Sequence, residues 1–130
     1  MYQATTHDIR VTVAPHFMAD RSKPDMNRYF WSYTIEIVNL GLSTAQLRSR
    51  YWRITDAQGH VEEVRGPGVV GEEPVLEPGA SFTYTSGCPL ATPSGIMAGT
   101  YQMERADGTR FEIIVPAFSL DSPFERMRSN

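Results

Sequence analysis

Apolar and polar side chains alternate along most of the chain. Asp8-Ile9-Arg10-Val11-Thr12-Val13 places Ile9, Val11 and Val13 on one face, the period of a half-buried strand. A long strand is predicted over 28–39, with Tyr29, Trp31, Tyr33, Ile35 and Ile37 sharing a face. Its other face carries Phe30, Thr34 and Val38, so its middle is expected to be covered on both sides. A third strand over 46–56 points Trp52 and Ile54 one way and Tyr51, Arg53 and Thr55 the other. Ala57-Gln58-Gly59 turns the chain back into 60–65 as a hairpin. The Gly/Pro/Glu-rich stretch 66–79 reads as a connection, after which alternation resumes over 80–85 through Phe82 and Tyr84. Thr92-Pro93-Ser94-Gly95 is a further turn cluster. The last two strands, 100–106 and 109–115, flank Asp107-Gly108, the dipeptide of a type I′ turn.

That makes about seven strands, with no sustained helical repeat between caps. Without crossover helices, parallel pairing has no route, so two packed antiparallel sheets are expected. The fold class is all-β, a fibronectin type III-like or immunoglobulin-like sandwich; a closed barrel is the other arrangement these strands allow. Trp52 is the expected anchor between the sheets. Tyr101 stands where such sandwiches place a corner tyrosine bonded to backbone. The 130 residues suit a single domain over 1–130, with a core over about 9–118 and a loosely packed tail over 121–130.

Twelve Lys+Arg stand against 15 Asp+Glu, a net charge of −3, which argues against a dedicated nucleic-acid binder. Eleven of the twelve cations are arginines, scattered without a dense basic run, and Lys23 is the exception. The start, Met1-Tyr2-Gln3-Ala4-Thr5-Thr6-His7-Asp8, has neither a basic n-region nor an apolar stretch, so a cytoplasmic protein is expected. The apolar run from Phe111 to Phe118 falls far short of the roughly 20 residues that span a bilayer, so no membrane partner is expected. The single cysteine, Cys88, rules out an intrachain disulfide and multi-cysteine zinc modules.

Gly66-Pro67-Gly68-Val69-Val70-Gly71 has the G-x-G-x-x-G spacing of dinucleotide loops. Those loops open a helix whose N-terminus holds a pyrophosphate, and here Pro74 and Pro78 leave no room for one. Glu72, Glu73 and Glu77 follow, and only Arg65 is an adjacent cation. The charge is unevenly spread: 1–65 carries +1 and 66–130 carries −4. The motif lies in the acidic half, which favours a glycine-rich connection over a nucleotide loop.

The stretch from Val61 through Arg65-Gly66-Pro67-Gly68-Val69-Val70-Gly71-Glu72-Glu73-Pro74 to Leu76 resembles the signature of the ApaG family, also called CorD. Phe82-Thr83-Tyr84-Thr85-Ser86-Gly87-Cys88-Pro89-Leu90, Thr92-Pro93-Ser94-Gly95-Ile96-Met97-Ala98-Gly99-Thr100-Tyr101 and Arg50-Tyr51-Trp52-Arg53-Ile54-Thr55-Asp56 extend the resemblance from about Ile9 to Phe118. Pro67 departs from it, standing where a polar or charged residue is expected. The resemblance implies a fibronectin type III-like sandwich without an assigned enzymatic activity, in a cytoplasmic bacterial protein associated with magnesium and cobalt homeostasis. Similar domains in F-box proteins and in a polymerase-delta-interacting protein look like interaction modules.

Three functional readings follow. The first is a non-enzymatic protein-binding module, since an open sandwich has edges that accept an added strand. An unidentified protein partner is expected, and pairing with a second copy gives a homo-oligomer. The alternative is pyrophosphate or nucleotide binding at the glycine loop, with Gly66, Gly68, Gly71, Arg65 and Arg50 as ligand-binding candidates. Arg48 and Arg50, two apart, are expected on one face. The third is a metal site at His60 and Glu62 or at His16, Asp20 and Asp25, but neither set has ligand-motif spacing, so no metal and no cofactor are expected. Cys88 lacks a placed base, Ser86 and Ser94 lack a nucleophile elbow, and the adjacent carboxylates Glu62-Glu63 and Glu72-Glu73 diverge on strands. No catalytic residues are assigned, and no enzyme is expected.

Overall fold

The computed structural model describes residues 1–124. Nine strands follow in chain order: β1 (Tyr2–Thr6), β2 (Ile9–Phe17), β3 (Tyr29–Asn39), β4 (Ala45–Asp56), β5 (Val61–Pro67), β6 (Val75–Leu76), β7 (Ser81–Leu90), β8 (Gly95–Arg105) and β9 (Arg110–Leu120). Two single turns of 3-10 helix, Ala19–Arg21 and Pro24–Met26, sit in the loop before β3. One sheet has the order β1-β2-β3-β7; the other has β5-β4-β8-β9, with β6 also paired to β4. Every strand pair is antiparallel, and the two sheets stack as a sandwich rather than closing into a barrel.

The inward faces follow the alternation. Tyr29, Trp31, Tyr33, Ile35 and Ile37 of β3 are buried, and so are Trp52 and Ile54 of β4. Trp52 lies between the sheets, its ring edge-on to Tyr33, Tyr101 and Phe118. The outer face of β3 is only half-buried: among the described residues no further element stacks on it, and cover comes from side-chain neighbours such as the Phe30 ring lying over Gly87.

Several local expectations are corrected. The first and sixth strands, β1 and β6, are additional to the predicted set, and β7 and β8 run longer. The type I′ turn is not at Asp107-Gly108. There the Gly108 N–H donates to the Arg105 carbonyl and the Arg105 N–H to Thr109, with positive φ at Gly108 only. That is a three-residue loop, a type I turn closed by a left-handed glycine. Type I′ geometry occurs instead at His7-Asp8, where φ is +48° and +64° in the two-residue turn between β1 and β2. Tyr101 bonds the Tyr84 hydroxyl across the core rather than backbone.

At the end of the chain, the Trp31 indole donates to the Asp121 carbonyl at 2.7 Å, and Phe124 packs on Phe17 and Tyr29. Of the loose tail expected over 121–130, the first four residues are held by these contacts, and 125–130 lie outside the described residues.

Candidate functional site

The glycine motif folds as a small hairpin continuing β5. The Val69 N–H donates to the Glu72 carbonyl at 2.8 Å and the Glu72 N–H returns to Val69 at 2.9 Å, with φ +44° at Val70 and +81° at Gly71 between them. Glycine is obligatory at Gly68: its φ is +59°, and a Cβ there would stand 2.2 Å from the Glu72 carbonyl oxygen. Val70 is the strained position, a β-branched residue in the left-handed region, half-exposed at the tip. The Gly68 N–H is already given to the Arg48 carbonyl at 2.9 Å. The N–H groups of Gly68, Val69 and Glu72 are therefore engaged in holding the turn, and no helix follows it.

Arg50 bears on this loop from the other side. Its Nη1 donates to the carbonyls of Pro67 and Gly68, both at 2.9 Å, and its guanidinium lies where a side chain on Gly66 would begin. Gly66 and Arg50 are register partners. Arg65, one residue earlier on β5, turns to the outer face. It stacks 4.6 Å over the Tyr51 ring and lies 3.6 Å from Glu63, which also accepts the Tyr51 hydroxyl at 2.6 Å. The five candidates thus divide: Gly66, Gly68 and Arg50 form one cluster, Gly71 sits at the tip, and Arg65 belongs to the opposite face.

Arg48 and Arg50 do not share a face. A β-bulge between Leu47 and Ser49 adds a residue to β4 and reverses the alternation. Arg48 stays outside with Gln46 and pairs with Glu73 at 3.2 Å and Glu104 at 3.5 Å, while Arg50 turns inward.

Arg50 reaches a cleft of about 260 Å³ between the sheets, where β7 and β5 leave them open. Tyr33, Trp52, Val64, Cys88 and Met97 form much of its wall. Burial pushes the hydroxyls of Tyr84 and Tyr101 well above the ordinary tyrosine range, and Tyr33 upward, with the Arg50 charge pulling weakly the other way on all three. Burial, helped by the Glu62 carboxylate, pushes the Cys88 thiol up to about 11, so it is protonated and unreactive at neutral pH.

Among the described residues, no three His, Cys, Asp or Glu side chains converge as metal ligands. His60 pairs with Asp56 at 3.2 Å, on the exposed β4–β5 turn. No helix among the described residues is long and apolar enough to cross a membrane.

Sequence reasoning passed over the cleft itself. Its rim had one readable sign, the absence of any charged residue from Ser81 to Leu90. The bulge that turns Arg50 inward leaves no comparable mark.

Two antiparallel sheets stacked on an aromatic core, with one side left open, define a fibronectin type III-like sandwich module. The chain belongs to the ApaG family, whose domain matches residues 19–105. It is 59% identical over 130 residues to Protein ApaG of Brucella anthropi, covering 100% of both chains. It is 63% identical over 123 residues to Protein ApaG of Azorhizobium caulinodans, covering 95% of each. A crystal structure assigned to an ApaA protein of Bordetella pertussis superposes with a TM-score of 0.87 at 45% identity, covering 92% of this chain and 97% of that one. None of these names states an activity.

Proposed function

We propose that the chain is a non-enzymatic protein-interaction module that takes up an extended segment of a partner along the free edge of β7. One observation carries this reading: β7 offers ten residues at the edge of its sheet without one charged side chain. Natural edge strands are usually guarded by charge, proline, brevity or a cover. The edge of β5 has Glu62, Glu63 and Arg65, and ends on Pro67. In β7 the only proline is Pro89, next to last. Beside β7, the inner face of β5 has Val64 only partly covered, so a strand added to β7 would lie over it. A role in magnesium or cobalt homeostasis would run through that partner.

Capture from native cell extract tests this with three proteins: the unaltered chain, the double variant Ser81→Lys/Thr83→Lys, and Val70→Asn at the loop tip. Both β7 positions are exposed, so the lysines leave the fold intact while guarding the edge. A partner retained by Val70→Asn and lost several-fold from the double variant is the expected result. Equal recovery by all three removes β7 from the interface. A second copy of the chain as the only species recovered makes the edge a homodimer contact.

A further inference from the structure

Arg50 is half-buried at the inner end of the cleft, and only two of its N–H groups are accounted for, those given to Pro67 and Gly68. No described residue accepts from its Nε or Nη2, and no described carboxylate comes within 4.0 Å. The other arginines of this region behave differently: Arg48 has two carboxylates and Arg65 has one. A guanidinium drawn partly out of water without a counter-charge is costly, and its planar fork fits a carboxylate through two parallel hydrogen bonds. Two carbonyls fix the orientation of that fork in advance.

The geometry points to a carboxylate recognition site: the cleft takes an acidic side chain of the extended segment that pairs with β7. This rests on β7 as the accepting edge and adds the chemistry of the partner. On an added strand, alternate side chains face inward, as Tyr84, Ser86 and Cys88 do on β7 itself. An inward residue at the level of Ser86 meets Arg50, and the next inward residue meets the apolar wall of Trp52, Val64 and Met97. Glu62 pairs with Ile54 while Gly66 pairs with Arg50, four residues or roughly 13 Å apart along the strand. The acid of the cleft therefore sits at its far end and disfavours an acidic residue there. The recognised pattern is an acidic residue and an apolar residue separated by one position, both facing inward.

Terminally blocked heptapeptides Thr-Val-Thr-Xaa-Thr-Val-Thr, with aspartate, asparagine or lysine at the central position and valine two positions to either side, serve as probes. Backbone amide shifts along β7 and the Arg50 Nε–H signal are followed by NMR, with sodium acetate as a separate arm. The aspartate peptide is expected to move both sets of signals and to bind at least tenfold tighter than the asparagine peptide, with lysine weakest. Arg50→Met abolishes the preference, and Arg50→Lys, which keeps the charge without the fork, retains part of it. The charge series on the unaltered chain decides even if Arg50→Met fails to fold. If β7 amides move equally with aspartate and asparagine, the carboxylate site is overturned while the edge reading stands. Peptides that leave β7 unmoved overturn both. Acetate binding at Arg50 as tightly as the peptide, with β7 silent, replaces the segment by a free carboxylate and overturns the inference.

Discussion

Where β1 meets β9, the sheets come together and side chains finish the edge. Thr6 Oγ1 accepts from the Ile114 N–H at 3.1 Å, the Tyr2 hydroxyl accepts from the Ser119 N–H at 3.2 Å, and Tyr2 packs on Phe118. Where β7 faces β5, the described residues make no such closure: the inner wall is open as a cleft, Arg50 has no carboxylate among the described residues, and the edge strand is uncharged. Both sides belong to one core, so the contrast is not between a folded and a loose region. The core is continuous, but its polar edges are satisfied on one side and left available on the other. A strand edge that can bind is one whose backbone groups are not already used.

The largest effect that sharpens this contrast is expected at Phe118. Its side chain is buried against Tyr2, Tyr33 and Trp52, tying the closed edge to the centre. Phe118→Ala should cost about 3–5 kcal/mol, the range for emptying a packed aromatic site. Val64→Ala, on the open side, should cost about 1 kcal/mol because Val64 is only partly buried. Urea unfolding of both variants gives the comparison directly. Equal losses would mean that the cleft is packed as tightly as the closed edge.

An intermediate effect comes from Cys88 in the wall of the cleft. Burial first, and the Glu62 charge second, hold its thiol at about 11 in the fold against 9.0 for an ordinary thiol. A group with a raised pKa lends its stability fully below the unfolded value and loses it as pH rises through the folded one. The loss therefore falls between about pH 9 and pH 11 and amounts to roughly 2–3 kcal/mol. Tyr33, Tyr84 and Tyr101 add to alkaline destabilisation in any variant, so the informative quantity is a difference. The stability gap between the unaltered chain and Cys88→Ala, measured in urea at pH 8 and pH 11, should close or reverse at the higher pH. A gap independent of pH would show that water reaches the thiol and that the open side is wetter than its walls imply.

Much of the sandwich was legible because its signal is local. Alternation names the inward faces of β2 and β3, and of β4 at Trp52 and Ile54, residue by residue, since one buried face fixes the register of a strand. The same rule fails at Arg48 and Arg50, where a bulge inserts one residue and reverses every face after it. Turn chemistry was legible in position but not in type. Gly108 closes a three-residue loop, whereas the two left-handed residues of the type I′ turn are His7 and Asp8, which can adopt positive φ but do not advertise it as glycine does. The acidic, proline-rich setting of the glycine motif marks it as a connection. The hairpin over Val69–Glu72 is such a connection, with its glycines placed for backbone approach. The cleft was not legible, because it depends on how far apart two non-adjacent edges stand.

The smallest effect tests the closed edge itself. In Thr6→Ala the Ile114 N–H loses its acceptor at a site open to water, so solvent replaces the hydroxyl and the cost should be about 1 kcal/mol or less. Stability alone would barely register this, whereas amide exchange separates the two sides. In the unaltered chain the Ile114 and Ser119 amides on β9 should exchange more slowly than the outward-facing amides of β7, which have no neighbouring strand among the described residues. Thr6→Ala should bring Ile114 toward the β7 rate and leave Ser119, still bonded to the Tyr2 hydroxyl, slow. If β7 amides are as slow as Ser119 from the outset, the free edge is protected by the chain itself, and the difference between the two sides is one of packing rather than of available backbone.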